Sequence, residues 1–119
     1  MMPFERFEAW QLCHKLVLEV YRTTKHFPAA ERFELAKQAR RAAFSSAVNI
    51  AEGSAKHGNR EFRRFLDISL GSLSELAYIL IMARDLEYIT QKTYVKLNQL
   101  RDHAGKATWG LYRSMGRRD

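Results

Sequence analysis

Apolar side chains recur at three- and four-residue spacing almost from one end of this chain to the other, interrupted by only two prolines and six glycines. That is the repeat of a helix with one buried stripe, and no turn dipeptide joins strand-like alternating runs into a hairpin. The spacing predicts a first helix from about Phe7 to Thr24, with Trp10, Cys13, Val17 and Val20 facing inward beside Ala9, Leu12 and Leu16. Pro28 follows. A proline pushes its preceding residue out of the helical basin and is itself well placed to open a helix, where its missing N–H costs nothing. A second helix is therefore expected from near Ala29 to Gly53, and its stripe of Leu35, Ala36, Ala39, Ala43, Ala47 and Ile50 is mostly small enough to let a neighbour come close. Asn59 can cap a third helix reaching about Leu86, lined by Phe62, Leu66, Ser69, Leu73, Leu76, Leu80 and Ala83. Thr90 can cap a fourth with Tyr94, Leu97, Leu100, Ala104, Ala107 and Leu111, and the tail from Gly116 is expected to fray.

Four amphipathic helices on short connections make an all-α protein, an antiparallel up-down-up-down four-helix bundle. With 119 residues, 46% of them apolar, the chain suits one domain over residues 1–119 with a core that needs no staples. Two helical hairpins exchanged between chains would read the same. The third helix carries more apolar surface than one bundle uses: beside its core stripe run Ile68, Ser72, Glu75, Ile79 and Met82, and Leu70, Ala77 and Ile81 flank the other edge. A helix apolar around most of its girth is normally covered on further sides, so Ile68, Ile79 and Met82 are the expected contacts of a homo-oligomer. The plainer account leaves a few apolar side chains in water, as most proteins do.

Most chemistries are poorly supplied. Residues 53–58 place two glycines as a phosphate-binding loop would, but Asn59 and Arg60 stand where that loop needs Lys and Ser/Thr, and a helix precedes it. No histidine has Glu three residues before it, as carboxylate-bridged metal bundles require, and His14, His26, His57 and His103 show no ligand spacing. His14 belongs at the edge of the first helix's core stripe and His57 in a solvated loop. No catalytic triad can be assembled from spacing. The expectation is a protein without enzymatic activity, metal or cofactor. Cys13 lies on an apolar stripe, which suits a packed, inert thiol, and a lone cysteine suits a reducing, cytoplasmic setting. Glu5, Arg6, Glu8 and Lys15 break up the early apolar positions, and no membrane span is expected.

Charge is more informative. The net charge is +7, from 20 basic and 13 acidic side chains, and it is segregated: the second and fourth helices are basic and the third is net acidic. Lys37, Arg40 and Arg41 share one arc, Lys106, Arg113 and Arg117 share another, and Lys56 and Arg60 flank the basic loop. These eight are the candidate nucleic-acid contacts, for such arcs can neutralise several phosphates; the alternative is a solvated face that only keeps the chain in solution. No aromatic residues interleave with these arginines on a strand platform, so stacking of single-stranded bases is not expected. Asn49, Glu52, Glu75 and Arg101 are expected to form a polar network, with help from Arg40 or Arg41, that fixes helix register. Gly71, costly within a helix, is expected to allow close helix approach.

Arg40-Arg41-Ala42-Ala43, Ser45, Asn49-Ile50-Ala51-Glu52-Gly53, Glu61-Phe62, Phe65-Leu66, Gly71-Ser72, Glu75 and Tyr88-Ile89 together resemble the signature of the bacterial four-helix bundle proteins also called 23S rRNA-intervening sequence proteins. The resemblance runs from Phe4 to about Tyr112; it departs at Ala47, where the family commonly has proline. It implies a cytosolic bacterial bundle. That family is in turn similar to the accessory protein of diversity-generating retroelements, a basic pentameric ring that binds nucleic acid and a reverse transcriptase. By that likeness the partners are further copies of the chain, as a homopentamer, and nucleic acid, with RNA favoured. The resemblance supplies no catalytic residues. The competing expectation is a structural assembly module that docks a protein partner.

Overall fold

The computed structural model describes residues 1–116. Its described residues form four α-helices: α1 (Glu8–Thr24), α2 (Leu35–Ser54), α3 (Asn59–Asp85) and α4 (Gln91–Met115), with single 3-10 turns at Pro3–Arg6 and Ala29–Glu31. Each helix packs on two neighbours, α1 on α2 and α4, α3 on α2 and α4, and the diagonal pairs stay apart. The result is the expected antiparallel bundle, 46 Å long and about 22 Å across. Its core is the set of predicted stripes: Cys13, Leu16 and Val20 from α1, Ala39, Ala43 and Ile50 from α2, Leu66, Leu73, Leu76 and Leu80 from α3, and Leu97 and Ala104 from α4.

The most intimate pair is α2 with α3. Small side chains allow it: Ser69 donates its hydroxyl to the Ser46 carbonyl at 2.7 Å, and Ser72 donates to Ser45 Oγ at 2.7 Å. Gly53 is buried there, and a Cβ on it would stand 2.7 Å from Phe65 Cβ and 2.8 Å from Phe62 Cδ1. Its role is therefore close approach rather than helix termination, and α2 continues to Ser54.

Two predicted helix starts move. α2 begins at Leu35, six residues later than Ala29, because the backbone at Glu34 (φ −115°, ψ −103°) leaves the helical region. Pro28 opens only the short 3-10 turn. At α3 the cap is Gly58, whose φ of 82° favours glycine. Asn59 is the first residue of the helix and spends its side-chain N–H on the Met115 carbonyl, 3.1 Å away, pinning α3 to the end of α4. Thr90 caps α4 as expected, accepting from the Thr93 N–H at 3.1 Å. By length and hydropathy alone α3 could cross a membrane. Its inner stripe is instead shared with the other helices as core.

Candidate nucleic-acid interface

The antiparallel path carries most of the candidate basic residues to two poles. At one pole α1 ends and α2 begins. Arg40 donates through Nε to Thr24 Oγ1 at 2.8 Å and lays its guanidinium 5.1 Å from the Tyr21 ring centre. Lys37 and Arg41 are exposed on the same end of α2. Lys25 and Arg32 join them in the connection, lining a cleft with Pro28 and Ala29. Among the described residues none of Lys25, Arg32, Lys37, Arg40 and Arg41 forms an ion pair. Glu31, the nearest carboxylate in sequence to Arg32, is held elsewhere: it accepts from the Tyr88 hydroxyl at 2.6 Å and from the Leu35 N–H at 3.4 Å. That bond raises the Tyr88 phenol above its usual value, because ionising it would place two anions side by side.

About 25 Å of helix separates Lys37 from the end of α2. The second pole lies there, where α2 ends, α3 begins and α4 ends. Lys56 and Arg64 both lie against the Phe65 ring, at 5.3 and 4.8 Å. Arg64 bonds Glu61 at 2.9 Å and thereby holds that carboxyl below its usual range. Arg60 and Arg113 are exposed at the same pole, and Arg63 covers Tyr112 at 5.6 Å. Lys106 sits along α4 and is paired with Asp102 at 3.1 Å. Arg117 lies outside the described residues. The eight candidates thus do not form one surface: three gather at the first pole, three at the second, and Lys106 stands between with its charge partly neutralised.

The structure corrects the polar-network expectation. Asn49 donates to the Ser45 carbonyl and hydroxyl, at 2.8 and 3.0 Å, so the network that forms is Asn49, Ser45 and Ser72. Short side chains bond across the close α2–α3 seam, and Glu52 and Glu75 stay outside it. Both are exposed and neither bonds an arginine among the described residues. Glu75 does share a shallow cleft with Arg41. Arg101 is satisfied within its own helix, by Asn98 Oδ1 at 3.0 Å. Of the expected oligomer contacts, Ile79 is 4% exposed and belongs to this chain's own core, whereas Ile68 is 41% exposed and Met82 is half-buried. Gly71 is exposed with nothing within 4 Å of a would-be Cβ, so it serves no close approach inside the chain.

Sequence reasoning missed Tyr21, Lys25, Arg32 and Phe33 at the first pole. Phe33 is the most exposed aromatic of the described residues, at 74%, and Tyr21 is 43% exposed. Aromatic rings therefore do stand among the arginines, on a helix end and a connection rather than on strands. The Arg32-Phe33 pair just after Pro28 was the available signal, hidden by the assumption that the second helix already ran through it.

Cys13 is buried, 3.8 Å from Thr108 Oγ1, and burial pushes its thiol above the usual 9.0 against the opposing effect of nearby hydroxyls. His14 is exposed and stacks on Trp10 at 4.8 Å, and His57 is exposed in the α2–α3 connection. Among the described residues no three His, Cys, Asp or Glu side chains gather as a metal-holding group.

The fold is shared with a solved structure from Bacteroides thetaiotaomicron VPI-5482, a protein of unknown function from the S23 ribosomal protein family. The two align with a TM-score of 0.82 at 22% identity, over 88% of this chain and 98% of that one. No curated protein matches the sequence. The profile of the 23S rRNA-intervening sequence proteins matches residues 5–110, which is most of the chain. The protein described here therefore belongs to the 23S rRNA-intervening sequence protein family.

Proposed function

We propose that this protein is a non-enzymatic, cytoplasmic accessory protein that binds nucleic acid, RNA in preference to DNA, as a homo-oligomer. The carrying observation is the first pole, where Lys37, Arg40 and Arg41 stand with Lys25 and Arg32 and no ion pair among the described residues neutralises them. Arg22, in the last turn of α1, and Arg64, Arg84, Lys96 and Lys106 are each within 4 Å of a carboxylate, while at the second pole Lys56, Arg63 and Arg113 form no ion pair among the described residues. Five basic side chains gathered there without an ion pair among the described residues supply what a polyanion site needs, since each phosphate contact releases a counterion. Support for self-association comes from α3, whose outer line carries Ile68, Tyr78 and Met82 with the open Gly71 between them; Tyr78 is 64% exposed. A pentamer is the stoichiometry that the family likeness implies.

Fluorescence anisotropy with a structured RNA tests the reading. Affinity should fall roughly a hundredfold between about 50 and about 200 mM salt, the slope of some four phosphate contacts. Lys37→Glu with Arg41→Glu should flatten that slope. Absent or salt-independent binding at about 50 mM salt would favour the other reading, a module that docks a protein partner on the same exposed apolar surfaces.

A further inference from the structure

At the pole where α1 gives way to α2, two clefts of about 360 and 400 Å³ lie side by side and share the side chains of Arg32 and Arg40. Both fall within the size of small-ligand sites. The first is lined by Thr24, Lys25 and Pro28, the second by Tyr21, Phe33, Lys37 and Arg41. Phe33 follows the 3-10 turn and precedes the broken backbone at Glu34, so its ring is held out at the rim instead of being wound into the bundle. The Arg32 guanidinium stands 5.9 Å from its ring centre, and the Arg40 guanidinium 5.1 Å from that of Tyr21. Cations and aromatic faces therefore alternate across one small surface. The carboxylates near it are Glu31, engaged by Tyr88, Glu34, exposed just before α2, and Glu75, beside Arg41.

A phosphate site alone would need no ring in water, and a hydrophobic site would not collect five cations that form no ion pair among the described residues. An unpaired nucleotide offers both groups at once: a base face that stacks on an aromatic ring or a guanidinium plane, and phosphates for the basic side chains. A continuous duplex hides its base faces in its own stack and offers phosphates, sugars and base edges but no face on which a ring can stack. We propose that this pole binds an unpaired nucleotide, its base stacked on Phe33 and its phosphates on Arg32, Lys37 and Arg41. The proposal rests on the nucleic-acid reading above and specifies which part of the strand is held.

The test uses the full chain and two labelled RNAs with equal numbers of phosphates, one a blunt duplex and one a shorter duplex with a single-stranded tail. The tailed RNA should bind more tightly. Phe33→Ala should weaken the tailed RNA about tenfold and leave the blunt duplex unchanged. A ring so exposed carries little of the fold, and an unaltered thermal melt of the variant checks this. Phe33→Trp should keep the tail preference, and its added indole fluorescence should be quenched by the tailed RNA. If Phe33→Ala matches the wild type on both RNAs, or weakens both equally, stacking is overturned while nucleic-acid binding stands. If neither RNA binds at about 50 mM salt, both proposals fall.

Discussion

Cys13 and two glycines show how much a single position depends on its surroundings. The Cys13 thiol is raised by burial in the folded chain and returns to its ordinary range on unfolding. The folded state thus holds its proton more tightly. The stability this contributes is fully present below about pH 9 and is lost as pH rises through the folded value. Cys13→Ala should therefore lose stability less steeply between about pH 9 and 11 in urea titrations, although burying a smaller side chain lowers its stability at neutral pH. Thiol labelling of the wild type should proceed no faster than unfolding. Gly53→Ala places a methyl group against Phe62 and Phe65 and should cost about 1–3 kcal/mol. Gly71→Ala meets nothing and should gain about 0.5–1 kcal/mol, since alanine restricts the unfolded chain more. Chemical denaturation of the two variants checks both signs, at a protein concentration low enough to keep the chain monomeric. Glu52→Ala and Glu75→Ala, exposed and without a bonded partner among the described residues, should each change stability by no more than about 0.5 kcal/mol.

Each helix buries the face its spacing predicts, and the informative differences lie on the faces left over. In α3 the outer line Ile68, Gly71, Glu75, Tyr78 and Met82 repeats at the same three- and four-residue spacing as the core stripe, but within the chain all of it except the half-buried Met82 is exposed. A second copy that covers this line would account for its apolar residues and for a glycine that is idle otherwise. Light scattering at micromolar concentration should give a multiple of 13.9 kDa, and Ile68→Asp with Tyr78→Asp should reduce it to one chain without altering the helical circular dichroism. A wild-type mass of one chain would remove the oligomer from the proposed function. The start of α2 differs where a distant contact is made: Glu31 is bonded by Tyr88, beyond the end of α3, and the backbone at Glu34 turns away. Such a contact across 57 positions leaves no trace in local periodicity.

For the molecule as a whole, antiparallel packing decides which basic residues become neighbours. Lys37 and Lys56 both border α2 yet stand at opposite ends of a 46 Å bundle, while Asn59 and Met115, far apart in the chain, touch. If the first pole is the nucleic-acid surface, Lys37→Glu should weaken RNA binding by more than Lys106→Glu, because Lys106 is already paired with Asp102; equal losses from these two single reversals would indicate a diffuse electrostatic attraction. The number of helices, their inner faces, the Thr90 cap and the excess apolar surface on the third helix were all legible in the chain, because burial stripes and caps are written in residues three or four apart. Gly53 against Phe65, the serine seam that replaced an expected glutamate network, the withdrawal of Ile79 into the core and the meeting of Tyr21 with Arg40 were not. Those depend on which helix ends are brought together and how closely two helices approach, and only the folded arrangement sets those distances.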